Sequence, residues 1–90
     1  MTQADLEAQL KSDGYTHLEA KTLDPRPSNT EYAHDYDIRG LVLDGGLYCW
    51  QADQPVSYRA GQVFAVPAGK KHSEEIEREG ARILVARKYH

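Results

Sequence analysis

The fold of this chain is decided by a stretch in its C-terminal half, Gly61-Gln62-Val63-Phe64-Ala65-Val66-Pro67-Ala68-Gly69-Lys70-Lys71-His72. Its apolar residues 63–66 lie between a glycine turn and a Pro-x-Gly turn, and a short apolar run with such borders predicts a β-strand. A further strand-like segment, 72–77, begins at His72. Because side chains two residues apart share one face of a strand, His72 and Glu74 are expected to point the same way.

Short apolar segments of the same kind follow one another along most of the chain. From Tyr15 onward they are separated by Gly, Pro, Asp and Asn clusters roughly every 8 to 12 residues, a spacing typical of an all-β sandwich or barrel. The sequence Asp44-Gly45-Gly46 predicts a tight hairpin, since glycine adopts the positive φ that such turns need. Gly80 predicts a second break. The predicted strands cover residues 15–23, 31–34, 37–44, 47–51, 56–59, 62–66, 72–77 and 81–87.

The N-terminal residues have a different pattern, which predicts a short helix. Thr2 and Asp5 have the spacing of a capping box, Leu6 and Leu10 are one turn apart, and Gly14 is placed to end the helix. Ninety residues leave room for one hydrophobic core. We therefore predict a helix within residues 1–14 and a β-barrel over residues 15–90, together forming one domain.

Composition excludes several classes of protein. Eleven basic and fourteen acidic residues give a net charge of -3, without a run of Lys or Arg to neutralise phosphates, so no nucleic-acid partner is expected. The single cysteine, Cys49, allows no internal disulfide and no zinc-finger framework. The longest apolar runs, such as 83–86, are far shorter than the ~18 residues that cross a bilayer, so we expect no membrane partner and a cytoplasmic location.

Two histidines are the first candidates for chemistry. His34 shares a strand face with Tyr32, as His72 does with Glu74. If both faces look into one barrel, two imidazoles, a carboxylate and a phenol converge there. Imidazole nitrogen and carboxylate oxygen together suit Zn, Fe, Mn or Ni. The spacing alone leaves the alternative open that both histidines are hydrogen-bonded structural residues or face solvent.

The stretch 61–72 resembles the second motif of the cupin superfamily, which is a Gly, five residues, Pro-x-Gly, two residues and a His. The segment from Tyr32 to Gly45 resembles a degraded first motif, and the resemblance covers residues 30–88. It implies an antiparallel double-stranded β-helix, or jelly-roll, with a divalent metal held by residues from both motifs. It also implies a homodimer.

Carried over residue by residue, the resemblance makes His34 and His72 the metal ligands. Tyr32 stands where the motif has its first His, so the ligand set is incomplete. Glu74 and Asp37 are the carboxylate candidates for the metal, although Asp37 would need a β-bulge to turn its side chain inward. Glu74, as an acid/base group, and Tyr32, as a donor to a bound oxygen, are also the candidate catalytic residues; alternatively, Tyr32 only lines the pocket.

These inferences lead to two hypotheses about function. In the first, the protein is a small cupin that binds a divalent metal and a small, anionic metabolite, with oxygenase- or isomerase-like activity. In the second, it is a non-catalytic cupin that binds or senses a small molecule and has lost its metal. At the level of the sequence, whether the protein is an enzyme stays open.

Overall fold

The structure is a computed structural model that describes residues 2–28, 33–51 and 53–90. It contains one helix and five strands. The helix α1 spans Gln3–Ser12, and the strands are β1 Thr16–Leu23, β2 Tyr36–Gln51, β3 Gln54–Arg59, β4 Val63–Val66 and β5 Ser73–Tyr89. All strand pairs are antiparallel, in agreement with the predicted all-β class.

The two longest strands correct the prediction of a hairpin at residues 44–46. β2 runs without reversal through 16 residues, and β5 runs through 17 residues past Gly80. The β2–β5 register shifts between Val42 and Asp44 and again between Gly45 and Leu47. Gly45 and Gly80 each have a φ of 72°, and Gly45 lies directly against the Gly80 carbonyl. Positive φ therefore bends both strands at one level through β-bulges, instead of reversing either strand.

This shared bend folds the sheet into two layers. The first layer contains β1, the C-terminal half of β5, the N-terminal half of β2, and β4. The second contains the remaining halves of β5 and β2, with β3 at the edge. Arg26 extends the second layer, because its backbone exchanges two hydrogen bonds with Ile76, of 3.1 and 2.9 Å. The space between the layers is filled by Val42, Leu47, Cys49, Val66, Ile76, Ala81 and Ile83.

The helix covers the outer face of the first layer. Its predicted capping box is present, with the Thr2 hydroxyl accepting from the Asp5 amide and the Asp5 carboxylate accepting from the Thr2 amide. Leu6 and Leu10, one turn apart, are both buried in a second apolar cluster with Leu41, Leu84 and Ala86 of the sheet. Across residues 2–28, 33–51 and 53–90, no helix has the length and apolar composition needed to cross a bilayer.

Candidate functional site

The two candidate histidines lie side by side, although 38 positions separate them in the sequence. His34 precedes β2 and His72 precedes β5, so each lies just outside a strand and not within one. Their ring centres are 5.3 Å apart, with an angle of 47° between the ring planes. His72 is fully buried, whereas His34 is partly exposed. The juxtaposition expected from the sequence is therefore present in the fold.

The turn after β4 is what brings the histidines together. The Gly69 amide donates to the His34 carbonyl over 2.8 Å, and the Ala68 amide donates to Oδ1 of Asp37 over 2.7 Å. Gly69 has a φ of 79°, which a residue with a side chain adopts only under strain. The Pro-x-Gly turn thus fastens the segment before β2 to the segment before β5, and each segment carries one histidine.

Glu74 is close to the buried histidine. Its Oε1 atom is 3.8 Å from Nε2 of His72, and its Oε2 atom accepts a hydrogen bond of 3.1 Å from Nη2 of Arg26. In the sequence, Arg26 carries no functional signal beyond its position between Pro25 and Pro27, which fix the backbone on either side. The Arg26 backbone bridge to Ile76 holds the guanidinium beside Glu74.

Of the two other sequence-predicted residues, the structure places only Asp37, and it does not join this group. Asp37 lies on the opposite face of β2 from Tyr36 and Ile38, because the β2–β5 register runs without a bulge from Tyr36 to Val42. Its Oδ2 atom is 2.9 Å from Nε2 of His90, and its carboxylate lines a separate depression on that outer face. The condition for Asp37 to be a ligand, an inward-turning bulge, is therefore not met. Tyr32 lies outside the described residues.

A cavity of about 290 Å³ lies between the layers, next to His34. Ile38, Phe64, Ile83 and Val85 contribute apolar side chains to its wall, and four further lining residues carry charges. The full lining consists of Lys21, Leu23, Arg26, His34, Tyr36, Ile38, Phe64, Glu74, Ile83, Val85, Ala86 and Arg87. The cavity thus combines a hydrophobic wall with a small number of converging polar groups, the usual make-up of a small-molecule site.

The surroundings of His34 favour its neutral form. Burial is the main cause that lowers the pKa of His34 below 6.5, and the neighbouring His72 lowers it further. Glu74 acts in the opposite direction and is the weaker influence. A neutral imidazole at pH 7 can accept a hydrogen bond or donate its lone pair to a metal ion.

The donor set agrees only in part with a metal centre. Two imidazoles that share one ion have ring centres about 5 Å apart, given metal–nitrogen bonds of about 2.1 Å and a tetrahedral angle. The observed 5.3 Å between His34 and His72 satisfies this condition. However, within the part of the chain that the structure describes, no group of three or more His, Cys, Asp or Glu side chains is placed to hold a metal ion. In the same described ranges, Glu74 forms an ion pair with Arg26, over 3.1 Å.

Comparison with solved structures identifies the fold of this chain. No protein-family model matches the sequence, and no curated protein is similar enough to count as a relative. Among solved structures, EutQ from Clostridium difficile superposes on 89% of this chain with a TM-score of 0.73 and 19% identity. A cupin-2 domain protein from Shewanella frigidimarina superposes on 82% with a TM-score of 0.67 and 21% identity. Oxalate decarboxylase from Bacillus subtilis, which has Mn(II) centres, superposes on 80% with a TM-score of 0.69 and 19% identity.

These structures are longer than the present chain, which spans 61% of the length of the first, 70% of the second and 20% of the third. The identities lie at or below about a fifth, so the likeness concerns the path of the backbone and leaves the ligands of this chain open. The chain therefore has the cupin fold.

Proposed function

We propose that this protein binds a compact small molecule in the cavity between its two β-layers, with His34 at the polar end. The observation that carries the proposal is that the side chains of residues 2–28, 33–51 and 53–90 leave about 290 Å³ beside His34 unfilled. A small barrel normally packs its interior. A cavity of this size takes a ligand at the small end of the range that proteins bind.

The lining indicates how the ligand would be held. Ile38, Ile83 and Val85 offer an apolar surface, and His34 and the Arg26–Glu74 ion pair offer hydrogen bonds. Apolar contact supplies most of the binding free energy in such sites, whereas the few polar groups fix the orientation of the ligand. The ligand should accordingly have an apolar body and a polar head.

A divalent metal on His34 and His72 is the second candidate function. Their 5.3 Å ring separation and the neutral form of His34 favour it. A bound metal would supply a Lewis acid to the polar head of the ligand. With the metal, the cavity would suit the metal-dependent activity that the resemblance implied; without it, the protein would be a binding or sensing module. Glu74 would complete the ligand set only by leaving Arg26.

The test of small-molecule binding uses ¹⁵N-labelled protein and a library of compact organic molecules. Binding in the cavity should shift the backbone amides of Ile38, Ile83 and Val85, and Val85→Phe should abolish these shifts by filling the space. Val63→Phe is the matched control, because Val63 is an exposed valine of β4. If no compound moves the cavity amides, or if Val85→Phe binds as well as Val63→Phe, the proposal is wrong.

Metal binding is tested with protein that has been purified without a nickel column. Elemental analysis and titration with Zn²⁺ and Mn²⁺ should show one ion per chain, lost in His34→Ala and His72→Ala and weakened in Glu74→Gln. His17→Ala is the control, because His17 is exposed and lies next to Tyr89. Equal metal content in all five proteins, or none in the wild type after titration, would contradict a metal on this pair.

The homodimer and the cytoplasmic location stay predictions. Sedimentation velocity over a range of concentrations would test the first, and cell fractionation would test the second. A monomer at every concentration, or recovery outside the cytoplasm, would overturn them.

A further inference from the structure

Arg87 differs from the other basic residues that line the cavity. Lys21 pairs with Glu19 over 3.4 Å, and Arg26 pairs with Glu74 over 3.1 Å. For Arg87, residues 2–28, 33–51 and 53–90 supply no carboxylate within 4 Å, and Glu19 acts on it only at longer range. Among the described residues, Arg87 is therefore the one basic side chain of the cavity lining, histidine aside, without a carboxylate in contact.

Two tyrosines hold the Arg87 guanidinium in place. Its central carbon lies 4.7 Å from the centre of the Tyr36 ring, and its Nη1 atom donates to the Tyr89 hydroxyl over 3.2 Å. Tyr36 in turn stacks on His34, with ring centres 4.7 Å apart. The hydrogen bond to Tyr89 uses one of the five N–H donors of the guanidinium. Among the described residues, the aromatic contacts that orient Arg87 thus use one of its five donors.

The pairing pattern of the sheet puts Arg87 on the apolar wall. Arg87 follows Ile83 and Val85 on the inner face of β5, and its partner across the ladder is Ile38 of β2. A ligand anchored at Arg87 would therefore lay its body against these three aliphatic side chains. A hydrocarbon body gains free energy by this burial, whereas a polyhydroxylated body would lose hydrogen bonds to water.

We infer that the cavity ligand is a small monocarboxylic acid with a hydrocarbon body, and that Arg87 anchors its carboxylate. The inference rests on the proposed small-molecule binding and names the class of ligand. The planar guanidinium fork matches a carboxylate with two parallel hydrogen bonds. One unpaired positive charge calls for a monoanion, since a doubly charged phosphate would leave a negative charge in the apolar cavity.

The experiment measures affinity by isothermal titration calorimetry and by amide shifts in ¹⁵N spectra, with butyrate and benzoate as probes. Butyramide and benzamide are the uncharged counterparts, and inorganic phosphate is the rival anion. The variants are Arg87→Gln, which removes the charge, and Arg87→Lys, which keeps the charge and loses the fork. Arg82→Gln is the matched control, an arginine of the same strand that is exposed and lies across from Thr22.

We expect Arg87→Gln to weaken carboxylate binding about 10- to 100-fold, as the loss of a charge-assisted hydrogen-bonded pair does. Arg87→Lys should weaken it less, and Arg82→Gln should change it less than twofold. In the wild type, the side-chain Nε–H resonance of Arg87 should shift with butyrate and benzoate. That resonance gives an answer even if Arg87→Gln fails to fold.

Carboxylate selectivity can fail without small-molecule binding in the cavity failing. If butyramide, benzamide or phosphate binds in the cavity as tightly as butyrate and benzoate, the carboxylate inference is wrong and small-molecule binding stands. The same conclusion follows if Arg87→Gln and Arg82→Gln bind the carboxylates equally. If no probe of any charge moves the cavity amides and the wider library fails as well, both are wrong.

Discussion

Gly40 of β2 is a position where a single methyl group should disturb both the sheet and the cavity. A Cβ atom there would lie 2.5 Å from the Leu84 carbonyl oxygen and 2.5 Å from Cζ of Phe64, whereas ordinary van der Waals contacts begin near 3.4 Å. The neighbours would have to retreat by about 0.9 Å to restore such a contact. The carbonyl belongs to the backbone of β5, and the Phe64 ring lines the cavity. Gly40→Ala therefore strains the β2–β5 ladder and pushes the ring toward the ligand space.

The size of the effect follows from two opposing contributions. Overpacking of a core costs about 1–3 kcal/mol of unfolding free energy. Replacing glycine in a strand returns about 0.5–1 kcal/mol, because the unfolded alanine chain has less backbone freedom. Because the Leu84 carbonyl is backbone and cannot turn away, we take the upper part of the overpacking range, about 2–3 kcal/mol, which leaves a net loss of about 1–2 kcal/mol. In a domain of this size, each kcal/mol lowers Tm by about 4–8 °C, so Gly40→Ala should melt about 4–16 °C below the wild type.

Thermal unfolding followed by circular dichroism measures this difference, and Gly46→Ala supplies the control. Gly46 lies in the same strand, but the three atoms nearest to a Cβ atom there all belong to the side chain of Arg59, with Nη1 at 2.7 Å. That side chain is half exposed and can turn away, at the expense of its ion pairs with Glu77 and Glu79. Exposed pairs contribute little, so Gly46→Ala should cost no more than about 1 kcal/mol.

A Gly40→Ala protein that melts within about 2 °C of the wild type, or no lower than Gly46→Ala, would refute the reasoning from the close contacts. The double variant Gly40→Ala/Phe64→Leu shows which contact matters. Partial recovery of Tm would assign the strain to the ring, and no recovery would assign it to the Leu84 carbonyl.

Three further predictions concern other parts of the fold. The hydrogen bond from the Ala68 amide, followed by that from His90, lowers the pKa of Asp37 below 3.8. Its stabilising effect is therefore present above that pH and is lost as the pH falls through the lowered value. Asp37→Asn should lower Tm more at pH 7 than at pH 2, and an equal difference at both would contradict this. Leu10→Ala should lower the free energy of unfolding by about 2–4 kcal/mol, measured in urea, because Leu10 is buried against the sheet. A decrease below about 1 kcal/mol would show that the helix contributes little to stability. Burial raises the pKa of the Cys49 thiol, so its reaction with a disulfide reagent should be more than about tenfold slower in the folded than in the unfolded protein; equal rates would overturn that expectation.

Local signals in the sequence predicted those parts of the fold and of the site that depend on residues close together in the chain. The helix and its cap were readable because both hydrogen bonds of the capping box lie within one turn of chain. The turn at Pro67-Ala68-Gly69 was readable because proline and glycine restrict the backbone in opposite ways. The pairing of His72 with Glu74 followed from the alternation of side chains along a strand. In each case the residues involved lie within four positions of one another.

Other features were decided by contacts between distant segments. Gly45 has the positive φ that a hairpin needs, but the same φ serves a bulge, and the pairing of β2 with β5 on both sides of the bend selected the bulge. The same uninterrupted register kept Asp37 on the outer face. The spacing of residues in the sequence could not show whether a hairpin or a bulge at Gly45 would have partner strands to complete its hydrogen bonds.

The chain's own residues thus specified strands, turns and a histidine in each of two motifs, because backbone preference and side-chain alternation act over a few residues. Only the tertiary structure brought the two imidazoles within 5.3 Å of each other, paired Arg26 with Glu74 and left Arg87 on the cavity wall without a carboxylate in contact among the described residues. The physical reason is that charge pairing and cavity shape depend on distances through space. Those distances are set when the two long strands bend at the same level and close one layer over the other.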